Sequence, residues 1–274
     1  MTGQLVAAYV RELAQALGAG WNRFWYTPRD PRTVCVLRVL AGLCALAFVL
    51  SHTADLVRWM GPDGILNTQT TLQLNGQQTL GPTLRYSYLY FAATPASLWI
   101  LHVTGIVTVL AFIVGIGSRW TAVGTLVVVL AYVHRVPLLT GQWEPVLTML
   151  LAYLCLAPTG RCWSVDALLA RRRARGGRTK EMPSRLCPSV AANISVRLIQ
   201  LHLAALCVMT GLNMLAADVW WSGEAVWWLI ARTESRLVDL TAMSGAMLAV
   251  NVWTHGIVLY LLAFGLLVWH RLAR

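Results

Sequence analysis

Charged residues are scarce in this sequence. Only 12% of its 274 residues are Asp, Glu, Lys or Arg, whereas soluble domains usually contain about a quarter. Hydrophobic residues make up 57% of the chain, and the mean hydropathy is +0.60. A soluble core fits these values poorly, so the composition predicts a membrane protein.

Acidic residues are the rarer of the two charge types, with 11 Asp and Glu against 22 Lys and Arg. The resulting net charge of +11 could suit nucleic acid. However, the basic residues are confined to short segments between long apolar runs, which is typical of membrane topology. We therefore expect membrane lipids as partners and no nucleic acid.

Several functional motifs are also missing. The six cysteines form no CxxC pair and no Cys/His metal pattern, so neither a disulfide framework nor a metal site is predicted. The sequence has no P-loop, no nucleophile elbow and no HExxH motif. The residues identify no cofactor, and they leave open whether the chain is an enzyme.

The N-terminal segment, residues 1–33, lacks the apolar core of a signal peptide, because Arg11 and Glu12 interrupt its apolar run. We predict an amphipathic helix there, followed by an aromatic stretch at Trp21 and Trp25 that suits a headgroup interface. Residues 34–274 are predicted to form a transmembrane domain.

Six apolar runs approach the length of about 20 residues that a helix needs to cross a bilayer. They predict an all-α fold, a polytopic transmembrane helical bundle with about six spans plus interfacial helices. The third and fourth runs are short, which local bilayer thinning or burial among neighbouring helices would accommodate. The runs are residues 34–57, 96–116, 120–136, 142–160, 191–216 and 246–269.

The distribution of Lys and Arg predicts the orientation of these spans. Fifteen of them share the side of both termini and five lie on the opposite side. Because basic residues are retained on the cytoplasmic side, we predict a multi-pass plasma (inner) membrane protein with both termini cytoplasmic. Residues 161–190 would form a basic cytoplasmic loop, and residues 58–95 and 217–245 would form external segments.

Two arginines, Arg38 and Arg197, fall inside predicted spans near the inner boundary. Long stems let such side chains reach the headgroups, so snorkelling is the first interpretation. A pairing with Asp166, at the inner end of the fourth span, is the alternative.

Tryptophan pairs mark the second external segment. They fall seven residues apart, so they would share one face of a helix. An interfacial helix anchored by indoles is the first interpretation, and a lid over a ligand is the alternative. The residues are Trp220, Trp221, Trp227 and Trp228.

Polar side chains in or near the spans are the candidate ligand-binding residues, because ionisable groups in a membrane are costly and usually face a bundle interior. If they converge, they would line a cavity open to the exterior. The alternative is that each only hydrogen-bonds a neighbouring helix. The candidates are His52, Asp55, His102, His134, Arg135, Glu144, Asn213, Met214, Asp218 and His255.

The best of these candidates are His134, Arg135 and Glu144. The turn VPLLTGQW joins two adjacent spans, so a helical hairpin would bring the three side chains near one another. Alternatively, the group is a salt bridge that only fixes the hairpin.

Several motifs together resemble the horizontally transferred transmembrane domain (HTTM) family, whose best-known members are the vitamin-K-dependent γ-carboxylases. The resemblance covers residues 21–269, and the chain is similar to the bacterial single-domain members. It rests on LRVLAGL, GPDGIL, GIGSRWTAV, YVHRVPLLTG, WSVDALL and RLIQLHLA followed by GLNMLAADVWWSGEAVWWL.

The resemblance also argues against carboxylase activity in this chain. Asn213 and Met214 stand where the carboxylases carry paired lysines, and Met214 has no titratable proton. The chain's one lysine, Lys180, lies on the opposite predicted side, and Arg161 replaces a histidine that precedes the family's WSVD motif. For the Met214 side chain itself, ordinary packing is favoured over a functional thioether.

Two functions are predicted. The first is binding of a lipid- or quinone-like apolar ligand in an externally opening intramembrane cavity. The second is an accessory role for a secreted peptide or membrane partner, which the resemblance implies because some bacterial relatives take part in peptide-toxin maturation. A transporter is a third alternative, although no inverted repeat is evident.

Overall fold

The computed structural model describes residues 2–76, 87–141, 143–175, 187–232 and 239–269. The regular secondary structure of these residues is helical, with no strand among them. The α-helices are α1 (Thr2–Tyr26), α2 (Arg32–Ser51), α3 (Leu56–Met60), α4 (Thr68–Gly76), α5 (Pro95–Val114), α6 (Ser118–Arg135), α7 (Trp143–Leu156), α8 (Val165–Arg175), α9 (Val190–Leu215), α10 (Asp218–Trp221), α11 (Ala225–Ile230) and α12 (Met247–Leu267). The predicted all-α class is confirmed.

Four of the described helices, α2, α5, α9 and α12, are long and apolar enough to cross a membrane. They fit a multi-pass membrane protein. The third and fourth predicted spans correspond to α6 and to the 14-residue α7, which are not among the four. The number of six spans therefore stays a prediction. The first span is also shorter than predicted, because the chain leaves the helix after Ser51.

The chain divides into two compact units, Met1–Arg197 and Leu198–Arg274, with the division inside α9. In the first unit, α2 packs against α5, α6 and α7, and the last three contact one another in chain order. The result is an up-down-up-down bundle whose core contains Phe112, Tyr132 and Leu151. Gly42 of α2 lies against Ile113 of α5, which lets the two backbones approach closely.

Local sequence signals set the ends of α5. Thr94 and Ser97 form a capping box at its start, with Pro95 in the first turn. Gly115 ends the helix with φ 77°, and its N–H is bonded to the carbonyls of Ala111 and Phe112. The short turn that follows brings α6 back alongside α5.

Arg38 is fully buried at the end of the bundle where α2 begins, which we call the Arg38 end. Its guanidinium donates hydrogen bonds to the carbonyls of Thr159, at 2.6 Å, and Trp163. The snorkelling interpretation is thus wrong for Arg38, because the loop after α7 supplies acceptors inside the protein.

Asp166 lies at the same end of the bundle, where it binds the start of α6 and forms no ion pair with Arg38. Its carboxylate accepts hydrogen bonds from the N–H groups of Gly117 (2.9 Å) and Ser118 (2.8 Å) and from the Ser118 hydroxyl (2.7 Å). A carboxylate at the first turn of α6 also suits the helix dipole. Burial acts to raise the pKa of Asp166, but the hydrogen bonds from Ser118 and Gly117 hold that pKa below its usual value.

We expect Asp166→Asn to lower the free energy of unfolding by about 1 kcal/mol at pH 7, because the amide loses the negative charge and one of the two oxygens that accept hydrogen bonds from Gly117 and Ser118. The folded-state pKa of Asp166 is depressed, so this stabilisation is present above the unfolded pKa of about 3.9 and is lost as the pH falls through the folded value. Thermal unfolding of the detergent-solubilised chain at several pH values measures both effects. Exposed Asp63→Asn is the control; equal effects of the two substitutions would contradict the prediction.

Arg197 also lies inside the protein, at the start of α9. Its guanidinium carbon is 4.2 Å from the centroid of the Phe24 ring, a cation–π contact. One turn earlier, the Asn193 amide donates to the carbonyls of Phe24 and Trp25, both at 2.8 Å. These contacts hold the end of α1 and replace the predicted snorkelling of Arg197.

In the second unit, α12 packs against α10, α11 and the later part of α9. Gly265 of α12 lies against Val208 and the carbonyl of Ala204, and Gly211 of α9 lies against Leu262. Glycines at these positions allow close approach of the two helices.

The tryptophans of the second unit do not share one helix, so that prediction is wrong. Gly223, with φ 81°, breaks the segment into α10 and α11. The Thr254 hydroxyl of α12 donates to the Gly223 carbonyl at 2.8 Å and so fixes the break. Parts of the predicted external segments and of the basic loop, including Lys180, lie outside the described residues.

Candidate functional site

A cleft opens at the end of the first-unit bundle opposite the Arg38 end. It lies where α2 ends and α7 begins, with α3 beside it, and its volume is about 390 Å³. This size is within the range of small-molecule sites. The lining residues are Phe48, Ser51, His52, Asp55, Trp59, Met60, Leu139, Trp143 and Glu144.

Aromatic rings form much of the cleft wall. The Phe48 ring meets the Trp143 ring edge-on, with centroids 5.5 Å apart, and the His52 ring at 4.9 Å. Phe48 and His52 are four residues apart, so they project from the same face of α2 and its end. Trp59 of α3 adds a further indole.

Glu144 is the buried acid of the cleft. Its residue is only 3% exposed, and its Oε2 has no hydrogen-bond partner among the described residues. The first turn of α7 favours a negative charge at this position through the helix dipole. Even so, a buried carboxylate oxygen without a donor is costly, which marks Glu144 as a candidate for ligand contact.

His52 presents an acceptor beside this acid. Its Nδ1 lies 2.8 Å from the carbonyl oxygen of Phe48. A carbonyl oxygen only accepts hydrogen bonds, so Nδ1 must carry the proton. In the neutral imidazole, Nε2 then has the lone pair.

His102 lies behind the cleft and is fully buried. Its Nε2 is 3.0 Å from the Thr53 hydroxyl, and its Nδ1 is 2.6 Å from the Tyr132 hydroxyl. Each hydroxyl either donates or accepts, so both tautomers of the ring are satisfied. The Tyr132 ring in turn contacts the His52 ring, with centroids 5.2 Å apart. His102 thus supports the cleft from behind.

The predicted group of His134, Arg135 and Glu144 does not form. Arg135 is buried and donates to the Thr71 hydroxyl at 2.6 Å and to the Met60 carbonyl at 3.0 Å, so it makes no ion pair with Glu144. His134 is half-buried, and its backbone carbonyl accepts a hydrogen bond from the Tyr90 hydroxyl. The helices α6 and α7 do form a hairpin, but the Arg135 guanidinium binds buried acceptors on α3 and α4 instead of Glu144.

The remaining candidates belong to the second unit. Asn213 and Asp218 are exposed, and Met214 is half-buried. His255 is exposed, and its Nδ1 lies 2.9 Å from the Asn251 carbonyl of its own helix. The cleft therefore brings together three of the ten predicted residues, His52, Asp55 and Glu144, with His102 behind them.

Sequence reasoning missed the aromatic members of the cleft and the Tyr132 hydroxyl. Phe48 could have been found from its spacing of four residues before His52, and Trp143 from its place beside Glu144. Tyr132 gave no such signal, because its partner His102 lies 30 residues away on another helix. Within the described residues, no group of three His, Cys, Asp or Glu side chains is placed to hold a metal ion.

The chain matches no family model, no curated protein and no solved structure.

Proposed function

We propose that this multi-pass membrane protein is of the HTTM type and binds a lipid- or quinone-like apolar ligand in the cleft. The main observation behind the proposal is that the buried Oε2 of Glu144 has no hydrogen-bond partner among the described residues and lies in a cleft with aromatic walls. Such a site combines apolar surface for the body of a ligand with a polar group for its end, the usual composition of small-molecule pockets.

Contact between two of the family-like motifs supports the HTTM assignment. GIGSRW contributes Gly117 and Ser118, and WSVDALL contributes Asp166, which binds both. Two motifs that lie almost 50 residues apart in the sequence are thus joined by hydrogen bonds in the fold. Asn213 and Met214 stand at the paired-lysine positions, so γ-carboxylation is not part of the proposal.

The basic residues support a direction for the cleft. Arg119, Arg161 and Arg171 belong to the Arg38 end, and the cleft lies at the other end of the same bundle. With basic residues on the cytoplasmic side, the cleft opens outward and both termini are cytoplasmic.

A tryptophan at Leu139 tests the proposal. Leu139 lines the cleft, so Leu139→Trp should fill part of it and remove most of the retained ligand. The measurement is native mass spectrometry of lipids and quinones that remain bound after purification in mild detergent.

Leu138→Trp is the matched control, because Leu138 is an exposed neighbour that is not among the cleft residues. It should retain as much ligand as the wild type. Equal retention by the wild type and both variants would overturn ligand binding in the cleft.

A further inference from the structure

We infer that the cleft selects ligands whose polar end is an ammonium group. This inference rests on the proposed function and narrows it, because it names the chemistry of the ligand end that meets Glu144. It is carried by the charge of the cleft, by its hydrogen-bonding groups and by its aromatic wall.

The charge of the cleft is negative. Asp55 and Glu144 line it, and no Lys or Arg is among the described residues that line it. Asp55 is 3.9 Å from Arg58, but both side chains are largely exposed, so water weakens this pair. The buried guanidinium of Arg135 donates to the Thr71 hydroxyl and to the carbonyl of Met60, not to Glu144. The carboxylate of Glu144 is therefore left without a positive partner among the described residues.

Two hydrogen-bonding groups of the cleft are acceptors, so a ligand must supply hydrogen-bond donors to satisfy them. Glu144 Oε2 accepts, and His52 Nε2 accepts because Nδ1 of that ring is directed to the Phe48 carbonyl. A ligand end that only accepts, such as a ketone or a phosphate oxygen, leaves both groups unsatisfied. An ammonium group supplies the donors together with the missing positive charge.

The aromatic wall favours a cation over a neutral donor. Phe48, Trp59 and Trp143 line the cleft, and cations are attracted to the faces of such rings. A hydroxyl would satisfy Glu144 but would gain little from these rings. An anionic end would be repelled by the carboxylates.

Three probes with the same ten-carbon chain test the inference: decylammonium, decanol and decanoate. Calorimetric titration of the full detergent-solubilised chain should show decylammonium binding at least tenfold more tightly than decanol, with decanoate weakest. A factor of ten corresponds to about 1.4 kcal/mol. The preference comes from the positive charge, because decanol and decylammonium can both donate a hydrogen bond to Glu144 but only decylammonium is a cation.

Glu144→Gln keeps the shape of the side chain and removes its charge. It should weaken decylammonium binding about tenfold or more and leave decanol binding nearly unchanged. Glu224→Gln, an exposed substitution of the same kind in the second unit, should change neither. Should Glu144→Gln fail to fold, Trp143→Leu gives an independent test, with an expected drop of about twofold to fivefold in the preference for decylammonium over decanol.

The outcomes separate the inference from the proposed function. Equal binding of decylammonium and decanol, or equal weakening of both by Glu144→Gln, would overturn the ammonium preference and leave apolar ligand binding intact. If the wild type binds none of the three probes and Leu139→Trp changes no ligand retention, the proposed function itself fails.

Two natural sources carry this group, an aminophospholipid and a free alkylamine. Nanodiscs of phosphatidylglycerol with or without phosphatidylethanolamine distinguish them. Weaker apparent binding of decylammonium in the discs that contain phosphatidylethanolamine indicates the lipid as the occupant. Unchanged tight binding, still sensitive to Glu144→Gln, indicates a free amine. Loss of the dependence on Glu144 in both discs would overturn the inference.

Discussion

Arg38→Ala should destabilise the protein by about 3–5 kcal/mol. The substitution leaves the buried carbonyl of Thr159 and the partly buried carbonyl of Trp163 without their donor, and a buried, unsatisfied group costs about 1–3 kcal/mol. It also leaves a cavity, because Arg38 is among the largest fully buried side chains. Chemical denaturation in detergent, followed by circular dichroism, measures the loss.

The matched control lies on the same helix. Arg32 pairs with Asp30 at 3.5 Å, but both side chains are at least half exposed. Exposed pairs contribute about 0–1 kcal/mol, so Arg32→Ala should have little effect. Comparable losses for the two substitutions would contradict the structural role assigned to Arg38.

Gly115→Ala should be the next most damaging substitution. At φ 77°, a Cβ is strained in any environment, at a cost of about 1–2 kcal/mol. Here a Cβ would also lie 2.5 Å from the Ser164 Cβ and 2.8 Å from the Arg38 guanidinium. We expect a total loss of about 3 kcal/mol or more in the free energy of unfolding, since overpacking adds about 1–3 kcal/mol.

Gly117→Ala separates the two parts of this effect. Gly117 has a similar φ of 56°, but a Cβ there would have no heavy atom within 4 Å. Its substitution should therefore show the backbone cost alone, and the difference between the two variants measures the crowding around Arg38. Equal losses in unfolding experiments would show that no steric contact is made at Gly115.

Run length and composition were enough to predict the helical class and the four long apolar helices, because a helix that crosses a bilayer needs about 20 predominantly apolar residues in a row. They were not enough for the span count. The helices α6 and α7 pack against each other and against α2, so short or partly polar helices are tolerated there, but they also expose large apolar side chains such as Trp120 and Val146. Length alone does not decide whether α6 and α7 cross the membrane, so the count of six stays a prediction.

The sequence was enough to select several polar residues of the candidate site, but not to predict which of them lie together. His52, Asp55 and Glu144 were selected as polar groups near span ends, and they do share a cleft. The supposed partnership of Arg135 with Glu144 was wrong because Thr71 and the Met60 carbonyl, which are distant in sequence, offer the guanidinium better-placed acceptors. The accessory role for a secreted peptide or membrane partner stays a prediction.

The acceptors of Arg38 lie 121 and 125 residues further along the chain. During synthesis, α2 is therefore made long before the loop that will bind its guanidinium. Until Thr159 and Trp163 emerge, the charged head has only water and headgroups to solvate it, which its long stem allows it to reach. We therefore expect the Arg38 side chain to snorkel during membrane insertion and to become buried only after Thr159 and Trp163 have been synthesised.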